Sequence, residues 1–345
     1  MTTLESPRRV IGGVDTHGDV HVAAAVDEAG GVLGTAAFAT HASGYRDLHA
    51  WLCAFGQLER VGIEGTGAYG AGLARHLAHA GVAVLDVERP NRQVRRRQGK
   101  SDTLDAIVAA RTALSGAAGP AKARAGVVES IRVLLVAHRS ATQARNKALV
   151  QMRQLLYCGP DELRERFAHQ RGSALVTDAA RLRPGPHVRD VTTATKCALK
   201  SLAMRIERLD AERGDLLGAI DVLTQGAAPA LRSLRGVGPL IAGTLLVTAG
   251  DNPERLKSEA AFAHLCGVAP LEASSGKVSR HRLDRGGDRQ ANSALWRVVL
   301  VRMTCDQRTR DYVERRTKEG RSTREVMRCL KRYVAREVYH HLPHD

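Results

Sequence analysis

Aromatic residues are scarce in this chain of 345 residues: Phe, Trp and Tyr together make up 3% of it. Base stacking on successive rings therefore should not dominate any nucleic-acid contact. Cysteine is equally thin. The six, at 53, 158, 197, 266, 305 and 329, include no C-x-x-C pair, and only His264 stands close to one of them. That excludes a zinc-finger spacing and leaves reduced, structural thiols. No apolar run reaches the length of a membrane span, and the opening "MTTLESPRRVIGG" carries no apolar stretch of the signal-peptide kind, so a cytoplasmic protein without a membrane partner is expected. Internal repeats and low-complexity tracts are absent as well. Acidic residues are outnumbered by basic ones, 36 against 52, for a formal charge of +16. Such an excess favours a polyanionic partner, nucleic acid before an acidic membrane surface.

The chain is long enough for two or three domains. Residues 8–40 break into three short runs rich in Val and Ala, separated by "THGD" and "DEAGG", which predicts an antiparallel three-stranded meander. A helix is expected from Ser43 to about Phe55, then the strand "RVGIEG", a helix from about Ala68 to Ala80, the strand "VAVLDVE" and a helix starting near Ser101. Three strands followed by helix and strand in alternation argue for a mixed sheet covered by helices. Past the breaker "SGAAGPAKARAG" the chain turns helical. Leu199, Leu202, Ile206, Leu209, Leu216, Ile220 and Leu223 fall on three- and four-residue steps, interrupted by Arg213. This pattern fits a coiled-coil seam between subunits, or a helix packed on its own domain.

Two carboxylates, Asp102 and Asp105, stand three positions apart at the start of that Ser101 helix, on one face and about 5 to 6 Å apart. They repel unless a cation lies between them. Alone they are also compatible with solvated acids in a first helical turn, where the helix dipole tolerates negative charge. Asp15 ends the first strand in "VIGGVDTHG", and Glu64 ends the fourth in "RVGIEGTGAYG". An acid at the tip of an apolar strand, followed by glycine, sits where a sheet opens into a cleft. Four acids thus arrive from strand one, strand four and a later helix, an order that resembles the ribonuclease H arrangement, in which such positions hold two divalent ions about 4 Å apart. Oxygen ligands without His or Cys partners suit Mg²⁺ or Mn²⁺. The run "RPNRQVRRRQGK" before the helix, with Arg92, Arg95, Arg96, Arg97 and Lys100, is placed to grip phosphates. A phosphate-loop reading of "GKS" fails because position 94 is Val94 rather than glycine.

These acids, in "GVDTH", "IEGTGAYG" and "GKSDTLDA", resemble the DEDD tetrad of the RuvC-like transposases of bacterial insertion sequences, the insertion sequence one-ten family, and the resemblance spans nearly the whole chain. It implies an α/β plus all-α protein: an RNase H-like (RuvC-like) mixed-sheet domain at 8–125, a coiled-coil oligomerisation region at 126–225 and a mainly helical C-terminal domain at 226–345. In the last of these, Gly236 and Gly238 in "LRGVGPL" lie in what resembles a helix-hairpin-helix turn offering amides to a phosphate, although a plain helix-helix turn has the same look. The block "EASSGKVSRHRLDRGG" places Ser274 and Ser275 in a polar turn followed by Lys277, Arg280, Arg282 and Arg285. From the residues alone it is only a turn. By resemblance, Ser275, with Ser274 adjacent, is the nucleophile that forms a phosphoserine intermediate with DNA, Mg²⁺ at the four acids assists, and the basic residues contact nucleic acid. The resemblance further implies donor and target DNA, a structured guide RNA and a homodimer or homotetramer as partners. A Holliday-junction resolvase using water as nucleophile, and a non-enzymatic basic nucleic-acid-binding protein, are the competing readings.

Overall fold

The computed structural model describes residues 8–87, 101–124, 126–252, 256–275 and 281–343, grouped in two compact units, 1–126 with 249–257 and 127–248 with 258–343. The basic run at 89–100, including Arg92, Arg95, Arg96, Arg97 and Lys100, and Lys277 and Arg280 lie outside the described residues.

In the first unit, β1 (Arg9–Thr16), β2 (Val20–Val26) and β3 (Val32–Ala39) form the antiparallel meander that the three Val- and Ala-rich runs predict. After α1 (Ala42–Cys53), strand β4 (Gln57–Glu64) inserts parallel to β1, and after α2 (Ala71–His79), β5 (Ala83–Val87) adds parallel to β4. Helix α3 (Asp102–Leu114) follows, and a two-residue strand β6 (Gly119–Pro120) pairs antiparallel with β5 inside the stretch expected to be a breaker. The six-stranded order is β3-β2-β1-β4-β5-β6. Helix α2 starts three residues later than the pattern predicts. The amides of Ala68 and Gly70 both bond to the Gly65 carbonyl, and Gly65 itself takes φ +78°, so the chain must complete a left-handed turn before the helix begins.

Strand β1 lies at the sheet centre and is buried on both faces. Its even positions, Val10 and Val14, join Leu48 and Leu52 of α1 and Leu73 and Leu77 of α2 in one core layer. Ile11, one step out of phase, packs with Ala110 and Ala113 of α3 on the opposite face. Two apolar layers around one mixed sheet follow from that alternation.

The second unit is helical. Helix α4 (Gly126–Tyr157) and α7 (Val191–Ala227) lie side by side, with α5 (Asp161–Phe167) and α6 (Gly172–Ala180) closing one end. Leu199, Ala203 and Ile206 of α7 are fully buried in a core with Met152, Leu163, Phe167 and Leu175. Arg213, the interruption in the heptad run, donates to Thr142 Oγ1 of α4 at 3.0 Å and to Asp210 at 2.7 Å, and Asp210 also accepts from Arg145 at 2.7 Å. From Leu199 to Ile206 the apolar stripe expected to join subunits is therefore covered by the chain's own helices. Periodicity reveals that a stripe is buried, not which helix buries it.

Helix α8 (Pro229–Ser233) is a single turn, joined through Gly236 at φ +84° to α9 (Pro239–Ala249). A Cβ on Gly236 would meet Val298 at 3.4 Å, whereas one on Gly238 would meet nothing within 4 Å. The remainder comprises α10 (Glu259–Leu265), a hairpin of β7 (Pro270–Glu272) and β8 (His281–Leu283), and α11 (Arg289–Cys305), α12 (Gln307–Lys318) and α13 (Thr323–Tyr339). Among the described residues no helix is long and apolar enough to cross a membrane.

Candidate active site

Alternation along the strands carries the first two acids to one place. Ile11, Gly13 and Asp15 of β1 share the face covered by α3, as do Gly62 and Glu64 of β4. The glycines are there for a steric reason. A Cβ at position 13 would fall 2.1 Å from the Ala110 nitrogen and 2.2 Å from the Ala106 oxygen, and one at position 62 would fall 2.6 Å from the Ala109 oxygen. The backbone of α3 thus rests directly on two strands, through a buried face of Ala106, Ala109, Ala110 and Ala113. Two positions beyond those glycines stand Asp15 and Glu64, neighbours across the parallel pair because Val14 is in register with Ile63. The first turn of α3 adds Asp105 on its sheet-facing side.

Asp15, Glu64 and Asp105 are 6%, 4% and 9% exposed, whereas the Asp102 side chain is 49% exposed. Carboxylates rarely sink that far without a partner. The Thr16 hydroxyl donates to the Glu64 carbonyl at 2.7 Å, and the Thr66 hydroxyl donates to Asp86 at 2.6 Å, which ties the strand ends and the turn after Glu64 together.

A histidine enters the group, contrary to the expectation of an oxygen-only set. His17 Nε2 lies 3.1 Å from Asp15 Oδ2 and 3.5 Å from Asp102 Oδ1, so it bridges the strand acid to the helix acid. Ligand atoms of Asp15, His17 and Asp102 all fall within 4.8 Å of one another. The available signal was the spacing in "DTH": residues two apart at a strand end project to the same side.

Burial is the largest influence on the Asp15 carboxyl and pushes it above its ordinary value of 3.8; His17 pulls it down, and the charges of Asp105 and Asp102 push it up again. A donor set of carboxylates and an imidazole, partly desolvated and mutually repelling, fits a divalent cation. Protons compete with such a cation at Asp15. The rise in melting temperature produced by added Mg²⁺ or Mn²⁺ is therefore expected to be largest near neutral pH and to fade as acid protonates Asp15, beginning at higher pH than for an unshifted aspartate. Thermal unfolding over a pH series checks this, and a metal-induced shift independent of pH would contradict it.

In the second unit, Ser275 is exposed together with Ser274, just past β7. Arg282, on β8, and Arg285 are exposed too. Burial drives the Cys266 thiol well above its usual range, as a structural cysteine requires and a metal ligand does not.

Comparison with known proteins covers both regions. Residues 12–158, which contain all four acids and His17, match a family model described as a transposase of the DEDD type. Residues 228–314, which contain Gly236, Gly238, Ser275 and Arg282, match a model described as the transposase IS116/IS110/IS902 family. The chain is 31% identical over 139 residues to the "Insertion element IS110 uncharacterized 43.6 kDa protein" of Streptomyces coelicolor, a stretch covering 39% of this chain and 34% of that protein. It is 27% identical over 134 residues to the "Insertion element IS900 uncharacterized 42 kDa protein" of Mycobacterium paratuberculosis, covering 38% and 34% respectively. These matches span about a third of the length of either relative.

Proposed function

We propose that this chain, which carries the two domains of an IS110-family transposase, cuts and rejoins DNA strands at the ends of an insertion element. The observation that carries this reading is the meeting of Asp15, Glu64 and Asp105, all buried, with Asp102 and His17 at the tips of two adjacent parallel strands. The strand order, and acids drawn from β1, β4 and α3, are what a ribonuclease H-like site needs. When bound there, Mg²⁺ or Mn²⁺ would supply positive charge to the phosphate under attack and acidify the attacking hydroxyl.

The chain's own residues do the rest. Asp15, Glu64, Asp102 and Asp105 are the ligands, with His17 holding Asp15 and Asp102 in register. Ser275 Oγ attacks phosphorus. A serine–phosphate ester forms as the bond from phosphorus to one strand breaks; the hydroxyl proton passes to a base, and a proton returned to the leaving oxygen releases that strand with a free hydroxyl. The reverse attack by a different strand end restores a phosphodiester, so exchange needs no nucleotide triphosphate. Lys277, Arg280, Arg282 and Arg285, with Arg92, Arg95, Arg96, Arg97 and Lys100 and the Gly236–Gly238 turn, supply phosphate contacts that set position rather than sequence. The same positive charge accommodates a structured guide RNA, and assembly as a homodimer or homotetramer would bring Ser275 of one copy to the acids of another.

Incubation of end-labelled element-junction DNA with Mg²⁺ and protein co-expressed with the element's flanking sequence tests the covalent step on a denaturing protein gel. Label migrating with the wild-type protein and lost in Ser275→Ala is expected. Cleaved DNA running free of protein, and indifferent to that substitution, would make water the nucleophile and the protein a RuvC-like hydrolase.

A further inference from the structure

Among the described non-glycine residues only Arg124 adopts a positive φ, +50°. An L side chain is strained in that region, and such strain persists only where the surroundings over-determine it. Here they do. The Arg124 amide donates to Asp251 Oδ1 at 3.2 Å, Asn252 Nδ2 donates to the Ala121 carbonyl at 3.0 Å, and Gly250, itself at φ +95°, lies against the Lys122 side chain. A strap at 250–252, part of the same compact unit, thus clamps 121–124 from far along the chain.

The strained backbone carries the Arg124 side chain to the turn that follows Glu64. Arg124 Nη2 lies 2.8 Å from where a Cβ of Gly67 would stand, so its guanidinium occupies the space that glycine leaves open. Gly67 belongs to the tight turn that begins directly after Glu64, in which Gly65 packs on the Thr16 hydroxyl, one residue past Asp15. A planar, permanently charged fork at the turn three residues past Glu64 has the chemistry to take two non-bridging oxygens of a phosphodiester bound at the acids.

We propose that Arg124 is a phosphate-binding catalytic residue of the acidic site, held in place by the Asp251–Asn252 strap and admitted by Gly67. This rests on the reading that the acids perform metal-dependent phosphodiester chemistry. It goes beyond that reading because Arg124 lies in neither the tetrad nor the basic run, and its position depends on residues more than a hundred places away.

Single-turnover cleavage of junction DNA with Mn²⁺ is the test. Arg124→Ala should cut at least about a hundredfold more slowly, the size of effect that removal of one charge-stabilising donor has elsewhere. Its affinity for Mn²⁺, followed by paramagnetic resonance, should stay at the wild-type value. Guanidinium added at a non-denaturing concentration should restore much of the lost rate, and Arg124→Lys should retain part of it. Gly67→Ala, which keeps the charge and only displaces the fork, should slow cleavage in the same direction by less. Wild-type rates in both Arg124→Ala and Gly67→Ala would overturn the inference. So would a loss that guanidinium leaves unrestored and that parallels loss of Mn²⁺ affinity, because that is the behaviour of a brace. If Arg124→Ala fails to fold, Gly67→Ala and Arg124→Lys decide. A wild-type protein without metal-dependent cleavage would instead remove the reading of the acids, and the inference with it.

Discussion

Asp15→Asn is expected to abolish strand cleavage and, at the same time, to make the metal-free protein more stable. The two effects have one origin. Burial and the facing charges of Asp105 and Asp102 hold the Asp15 carboxyl above its ordinary range despite the hydrogen bond with His17. The folded state therefore binds a proton at this position more tightly than the unfolded chain does. Stability associated with that proton is present at low pH and is lost as pH rises through the raised value, so at neutral pH the ionised carboxylate is a net cost. Asn is nearly isosteric, can still accept from His17, and carries no charge. The melting temperature of the metal-free variant should rise at pH 7 and lose its dependence on this ionisation. Divalent ions should no longer shift it. Cleavage should fall by about a thousandfold or more, equivalent to about 4 kcal/mol of transition-state stabilisation of the kind a bound metal supplies. Differential scanning fluorimetry with and without Mg²⁺, beside a cleavage time course, measures both. A variant that melts lower than wild type, or that cuts at close to the wild-type rate, would show the acid to be structural.

Gly13→Val should be among the most damaging single substitutions in the first unit, although glycine at this position looks unremarkable in the sequence. Its backbone is not in the left-handed region; the constraint is room. The new Cβ would overlap the Ala110 nitrogen and the Ala106 oxygen of α3, and backbone atoms in mid-helix cannot swing aside as a flexible side chain does. Overpacking of this kind costs about 3 kcal/mol or more, which corresponds to about 10 °C in melting temperature for a unit of this size. Because α3 carries Asp102 and Asp105, lifting it from β1 also separates the helix acids from the strand acids. Loss of Mn²⁺ binding should accompany the loss of stability. Gly119→Val is the control: it lies on the edge strand β6, where an added Cβ meets nothing within 4 Å, and it should melt close to wild type. Equal melting temperatures for the two variants would mean that α3 does not sit on the sheet as described.

The sequence made much of this legible where neighbours along the chain decide the outcome. The meander shows in three Val- and Ala-rich runs and the turns between them, and Asp15 and Glu64 announce themselves as acids at the ends of apolar strands followed by glycine. What escaped depends on contacts between distant segments. Nothing in the sequence says why positions 13 and 62 are glycine until the helix that rests on them is in view. The strain at Arg124 is written in Asp251, not in its own neighbourhood. His17 was visible in "DTH", yet only the approach of Asp102 gives it a role. The apolar stripe of α7 fits a seam between subunits or a helix packed on its own domain, and between Leu199 and Ile206 it is the same chain that covers it. The two-residue β6 carries too few residues for any periodic signal.

The strap that reaches Arg124 also has a consequence for how the protein comes into being. Asp251 follows Arg124 by 127 residues. At about 5 to 20 residues per second, a ribosome needs about 6 to 25 s to add them. During that interval a nascent chain has its central strands, α3 and all four acids, but nothing to clamp 121–124. The first unit is discontinuous along the chain, so a polypeptide that ends before Asp251 lacks the side chain that holds the Arg124 amide. Clamping of 121–124 is thereby made contingent on translation having passed through most of the second unit.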